Sequence, residues 1–118
     1  SLAKRTAAAA LPELWLGYAQ YLFEDQQSQQ SLDAINRASI LLPESSKVRF
    51  WRARVLMSLG HMEEAEKDAQ KAIALSPELP NAHNLLMKIY RARGLDNEEN
   101  EQARWLAGHT TAHKAGSQ

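Results

Sequence analysis

Residues 60–77 read GHMEEAEKDAQKAIALSP. A glycine breaks the chain, a charged helix follows, and a proline closes it. Ala65, Ala69 and Ala72 recur at spacings of four and three, which puts them on one helix face. Such a strip of small side chains is flat and lets another helix backbone approach closely. Ile73 and Leu75 add apolar volume near the end. Nothing in the stretch is catalytic. It specifies packing, and the chain on either side can be laid against it.

The whole chain has 118 residues, the size of one domain. Hydrophobic residues make up 44%, enough for a core, which argues against global disorder. Aromatics are only 7% and alanine is abundant, which favours packed helices over a β-sandwich. Fourteen basic and 14 acidic residues cancel, so neither a strongly basic nucleic-acid binder nor an acidic tail is indicated. The absence of cysteine excludes disulfides and thiolate metal sites. It leaves the compartment open, since cytoplasmic and periplasmic or secreted locations are equally compatible. No apolar run reaches the ~18 residues of a membrane span, so no membrane insertion is expected. SLAKRTAAAA, residues 1–10, is too weakly apolar for the core of a secretory signal.

Taken in order, residues 1–11 read as the end of a helix or a linker, broken at Leu11-Pro12. ELWLGYAQYLFED, residues 13–25, is an apolar helix, and QQSQQ, residues 26–30, is a polar connector. A second helix over 31–42 carries Leu32, Ile35 and Ala38 at helical spacing and ends at Pro43. Ser45 or Ser46 caps a third over 47–59. The stretch quoted first supplies a fourth, over 62–75. A fifth spans 81–93 and stops at Gly94. Asp96 or Asn97 caps a sixth over 97–107, whose acidic first turn suits the helix dipole. Residues 108–118 read as a small, polar, mobile tail.

These elements repeat. Pro43 and Pro77 are 34 residues apart, as are Ala38 and Ala72, Leu41 and Leu75, and Gly60 and Gly94. Three units, 12–45, 46–79 and 80–113, can therefore be drawn, each a helix, a short turn and a second helix. A 34-residue helix–turn–helix period resembles the tetratricopeptide repeat (TPR). In the middle unit Gly60, Ala65, Ala72 and Pro77 match the turn glycine, the two small positions and the closing proline. Trp15, Ile35, Ala38 and Pro43 match in the first unit, and Leu86, Tyr90 and Gly94 in the third. The departures are Gln26 for the first turn glycine, Ser31 for its first alanine, and Arg49 and Arg52 at usually apolar positions. Glu99 replaces the first alanine of the third unit, so its second helix should pack less deeply, as terminal repeats do.

The resemblance implies an all-α fold: an α-α superhelix, or TPR-like solenoid, of antiparallel helix pairs. It would have six main helices plus an N-terminal helix remnant. Residues 12–107 form this domain, and Ala7, 34 before Leu41, marks 2–11 as the end of a preceding second helix. The chain is then the carboxy-terminal part of a longer array or larger protein. The resemblance also implies a concave groove lined by the first helices. It places Glu13, Leu16, Gln20 and Phe23 there from the first unit, and Lys47, Phe50, Arg54 and Met57 from the second. Asn81, Asn84, Lys88 and Arg91 come from the third. Of these, Gln20, Phe23, Lys47, Phe50, Arg54, Met57, Asn84, Lys88 and Arg91 form the candidate partner-binding set. A subset of the family clamps a partner's terminal carboxylate. The matching positions here hold Leu16, Gln20, Trp51, Asn81 and Leu85, so most of that clamp is missing. No chaperone-tail receptor of that kind is expected.

Charge patterning adds an observation independent of any family. Residues 47–59 hold Lys47, Arg49, Arg52 and Arg54, and residues 81–93 hold Lys88, Arg91 and Arg93, with no acidic residue in either stretch. Neutral net charge thus conceals a basic face, set against the bland reading of an ordinary solvated one. A basic groove holding Phe23, Phe50 and Met57 suits an acidic or amphipathic peptide. The readings left open are a non-catalytic protein-binding module, a structural spacer or self-association segment pairing through its N-terminal end, and an accessory domain of an enzyme.

No nucleophile–His–acid set, phosphate loop or paired-carboxylate motif appears, so no catalytic residue and no cofactor is assigned. His109 and His113 share the i, i+4 spacing of a metal pair, but their flanks are poor helix and offer no third ligand, so no metal is assigned. His61 and His83 read as solvent-facing. Trp15, Trp51 and Trp105 read as packing residues, with Phe50 and adjacent Trp51 unable to face the same way.

Overall fold

Helix ends set the architecture. In this computed structural model the backbone of residues 2–116 and the side chains of residues 11–109 are described. Six helices follow in chain order: α1 (Leu2–Glu24), α2 (Ser28–Leu41), α3 (Ser46–Ser58), α4 (Met62–Leu75), α5 (Pro80–Arg93) and α6 (Asp96–Gly116). No strand occurs among the described residues. The Ser45 hydroxyl accepts a hydrogen bond from the Val48 N–H at 3.2 Å and caps α3. Pro80 opens α5, where its missing N–H costs nothing.

The turns inside the three units share one conformation. Gly60 and Gly94 have φ of 84° and 73°, the left-handed region that glycine adopts without penalty. Gln26, at the equivalent place in the first unit, is also left-handed, with φ of 65°. The turn geometry therefore persists where the glycine is lost.

Each helix packs on its neighbours in the chain, and α3 additionally touches α1 and α5. The core forms two clusters. Leu16, Leu22, Ile35 and Val48 centre the first, and Leu56, Ala69, Leu86 and Ile89 the second. Ala65, Ala69 and Ala72 are completely buried, so the flat strip of α4 is a packing surface. Ser31, also buried, donates its hydroxyl hydrogen to the Ala19 carbonyl at 2.6 Å. That bond joins α1 to α2 and lets a polar residue occupy a small-residue position.

Three expected boundaries are corrected. Pro12 lies inside α1 rather than breaking it, so residues 2–11 continue into the same helix. A proline costs an interior helix about 3 kcal/mol. The following turns recover stability by burying Leu16, Ala19 and Leu22. The connector before α2 is shorter than 26–30, because Ser28–Gln30 form the first turn of that helix. The sixth helix runs past Gly108 to Gly116 instead of ending at 107. A Cβ at Gly108 would meet nothing within 4 Å, and a single interior glycine weakens a helix by only about 1 kcal/mol. No described side chain of α6 is fully buried, consistent with shallow packing of a terminal unit.

Candidate functional site

The first helices α3 and α5 stand side by side and enclose an open cavity of about 610 Å³. Lys47, Phe50, Trp51 and Arg54 line it from α3, and Asn81, Asn84, Leu85 and Lys88 from α5. A smaller space of about 310 Å³ adjoins, lined by Phe23 of α1, by Met57 and Ser58, and again by Arg54, Leu85 and Lys88. The three shared residues join the two spaces into one groove across the first helices of all three units. No helix among the described residues is long and apolar enough to cross a membrane.

Seven of the nine residues expected in the groove therefore line it: Phe23, Lys47, Phe50, Arg54, Met57, Asn84 and Lys88. Two do not. Gln20 is half-buried on α1 and lines neither space. Arg91 turns away to α6, where its Nε donates to Glu99 Oε1 at 2.6 Å. Leu16, placed in the groove by register alone, is buried in the core. Trp51, expected as a packing residue that could not share a direction with Phe50, also lines the cavity. The two rings meet edge to face, with centroids 6.0 Å apart, so adjacent positions do reach one space.

The basic face is smaller than the composition of α3 and α5 suggests. Asp68 of α4 is 3% exposed and holds two of the cations. Its carboxylate accepts from Arg52 Nε at 2.6 Å and Nη2 at 3.0 Å, and from Arg49 Nη1 at 3.2 Å. Arg52 also donates to Ser39 Oγ on α2 at 3.1 Å, and Arg49 to the Pro43 carbonyl at 3.1 Å. Arg93 donates to Glu66 on α4 at 2.6 Å. Among the described residues Lys47, Arg54 and Lys88 have no carboxylate partner, and these three line the groove.

Arg54 is held by aromatic faces instead. Its Cζ lies 4.6 Å from the centroid of Trp51, 5.0 Å from Phe23 and 5.9 Å from Phe50. A guanidinium over an aromatic face gains about 0.5–1 kcal/mol while its N–H edge stays available for a bidentate carboxylate. The groove thus offers three cations, a partly apolar floor and two side-chain amides. Those groups can bind a chain carrying carboxylates and an apolar residue.

The histidines depart from expectation. His83 is buried rather than solvent-facing. Its Nε2 lies 2.9 Å from the Pro77 carbonyl, which can only accept, so that nitrogen carries a hydrogen. Its Nδ1 lies 2.7 Å from the Gln102 side chain. The ring stacks on Trp105 with centroids 3.5 Å apart, and His109 stacks on Trp105 at 3.7 Å. Trp105 is therefore sandwiched between two imidazoles, His83 joining α6 to α5 and His109 stacking from within α6 itself. The side chain of His113 lies outside the described residues. Among those described, no group of three His, Cys, Asp or Glu could hold a metal ion.

Residues 46–79 match the family model described as Tetratricopeptide repeat. No curated protein sequence matches the chain. Among solved structures, it is similar to the second TPR of Spaghetti (RPAP3) bound to the HSP90 peptide SRMEEVD. The TM-score is 0.80 at 16% identity, over 88% of this chain and 96% of that one. It is also similar to MamA, with a TM-score of 0.81 at 21% identity over 91% of this chain. The chain spans 62% of the length of that MamA structure. The first TPR domain of human RPAP3 is similar with a TM-score of 0.68 at 27% identity, over 80% of this chain and 73% of that one.

Proposed function

We propose a function from the premise that this chain belongs to the tetratricopeptide repeat family: it is a protein-interaction module without chemistry of its own, binding an acidic, partly apolar peptide segment in the α3–α5 groove. One observation carries the proposal. Of the seven cations on α3 and α5, Arg49, Arg52, Arg91 and Arg93 are paired with carboxylates, and the three that are not surround the cavity. Carboxylates of the peptide would meet Lys47, Arg54 and Lys88. Phe50 and Trp51 would cover an apolar side chain, and Asn81 and Asn84 would hydrogen-bond the peptide backbone. Charge would steer encounter and choose among partners more than it would add affinity.

The similar RPAP3 structure holds a peptide containing two adjacent glutamates, which favours this ligand chemistry. The specific peptide is not carried over, because Leu16, Trp51 and Leu85 occupy positions where a carboxylate clamp needs polar groups.

The test uses fluorescein-labelled peptides with Glu-Leu-Glu or Lys-Leu-Lys cores and fluorescence anisotropy. The acidic peptide should bind in the range of about 1–100 µM at low salt and weaken about tenfold in high salt. Arg54→Glu with Lys88→Glu should abolish this binding with the helical circular dichroism intact. Equal binding of both peptides, or unchanged binding by the folded double variant, would remove the groove from consideration.

A further inference from the structure

The groove has a register. Residues 34 apart line it in pairs, the first on α3 and the second on α5, with Lys47 and Asn81 at one end of the larger cavity and Arg54 and Lys88 at the other. Charge is confined to these ends. One holds a single ammonium beside an amide, the other a guanidinium beside an ammonium. Between them lie Phe50, Trp51 and Leu85. Lys47 and Arg54 are seven residues apart on α3, which is two turns, so they share a helix face at about 10 Å along its axis.

A ligand that answers both ends must carry carboxylates on one side at a matching distance. A polyproline II segment turns once in three residues, so residues i and i+3 point the same way about 9 Å apart. In a β-strand, residues on one face are separated by two or four, about 7 Å or 13 Å, and neither distance fits. An α-helix covers about 10 Å with residues i and i+7.

Two features of the groove favour the polyproline II form over the helix. Asn81 and Asn84 lie one turn apart on α5 and bring two side-chain amides to the cavity. A helix bonds its own backbone groups and would leave those amides unanswered, whereas a polyproline II backbone makes no internal hydrogen bonds and is free to meet them. Phe50 and Trp51, edge to face at 6.0 Å, present two ring surfaces at an angle, and aromatic-lined grooves suit proline-rich segments held in this preformed shape.

We propose that the ligand of this groove is an internal segment in the polyproline II conformation, with two carboxylates three residues apart and prolines between them, of the form Glu-Pro-Pro-Glu. The inference rests on the reading of the groove as a site for acidic peptides and adds the spacing and shape of the peptide. One carboxylate meets Lys47, and the other bridges Lys88 and the free N–H edge of Arg54. A pyrrolidine ring lies against Phe50 and Trp51, and Asn81 and Asn84 hydrogen-bond the peptide backbone.

Fluorescence anisotropy with fluorescein-labelled, carboxy-amidated peptides tests this, since amidation removes the terminal carboxylate. Three cores are compared: Glu-Pro-Pro-Glu, the composition-matched Glu-Pro-Glu-Pro, and two glutamates seven residues apart bridged by alanines. The first should bind about tenfold tighter than either of the others, the size of one charged hydrogen bond gained. Lys47 is exposed, so Lys47→Ala should keep the helical circular dichroism, and it should erase the preference so that the first two peptides bind alike. Equal binding of all three peptides overturns the spacing and leaves the groove as an acidic-peptide site. Tighter binding of the alanine-bridged peptide overturns the polyproline II form. A preference undiminished in Lys47→Ala overturns the assignment of the single-cation end. Binding of none of the three removes this inference together with the reading on which it rests.

Discussion

At the scale of single residues, Asp68 carries the largest burden. One buried carboxylate receives three N–H groups from two arginines and ties α4 to α3, with Arg52 reaching on to α2. Removing one member of a buried ion pair costs about 3–5 kcal/mol. The arginine side chains here keep 21% and 24% of their exposure, so water recovers part of that loss. Asp68→Ala should therefore destabilise the chain by about 2–3 kcal/mol in urea unfolding. Gln26 predicts the opposite sign. A side chain at φ of 65° is strained by about 1–2 kcal/mol, so Gln26→Gly should raise stability by about 0.5–1 kcal/mol, once the greater freedom of the unfolded glycine is set against it. The turn position of Gln26 was legible from its 34-residue distance to Gly60. The role of Asp68 was not, because its partners lie 16 and 19 residues away on another helix. Counting charges along α3 makes Arg49 and Arg52 look available when they are not.

At the scale of elements, the alanine strip of α4 was readable because burial there follows helical spacing directly. Ala65, Ala69 and Ala72 leave no exposed surface, and Ala65 and Ala69 share a core cluster with Leu85, Leu86 and Ile89 of α5. Ala69→Leu should wedge α4 from its neighbours and cost about 1–3 kcal/mol, measured by thermal unfolding. Helix ends were less legible where they depended on a breaker residue. Pro12 and Gly108 are local penalties of about 3 and 1 kcal/mol, and the helices around them continue nonetheless. His83 was misread for a related reason. Near a helix start it looks solvent-facing, and only the arrival of Trp105 and Gln102 from α6 buries it.

At the scale of the molecule, the repeat period fixed which helices border the groove, since every first helix must present the same side. It could not fix charge, because the period says nothing about which carboxylate crosses from one helix to the next. The stacked arrangement also makes stability local, each helix relying mainly on its neighbours. Hydrogen exchange should therefore be slowest in α2, α3, α4 and α5, which are flanked on both sides, and faster in α1 and α6.

The sandwich around Trp105 and the open setting of Trp51 have an optical consequence. Trp105 is closed in by two imidazoles at the α5–α6 contact, whereas Trp51 faces the groove beside Arg54. An arriving peptide would dehydrate Trp51 and leave Trp105, and Trp15, which also lines neither space, as they were. The chain thereby carries its own dye and its own reference, and an emission shift that vanishes in Trp51→Phe but survives in Trp105→Phe would report groove occupancy without any label.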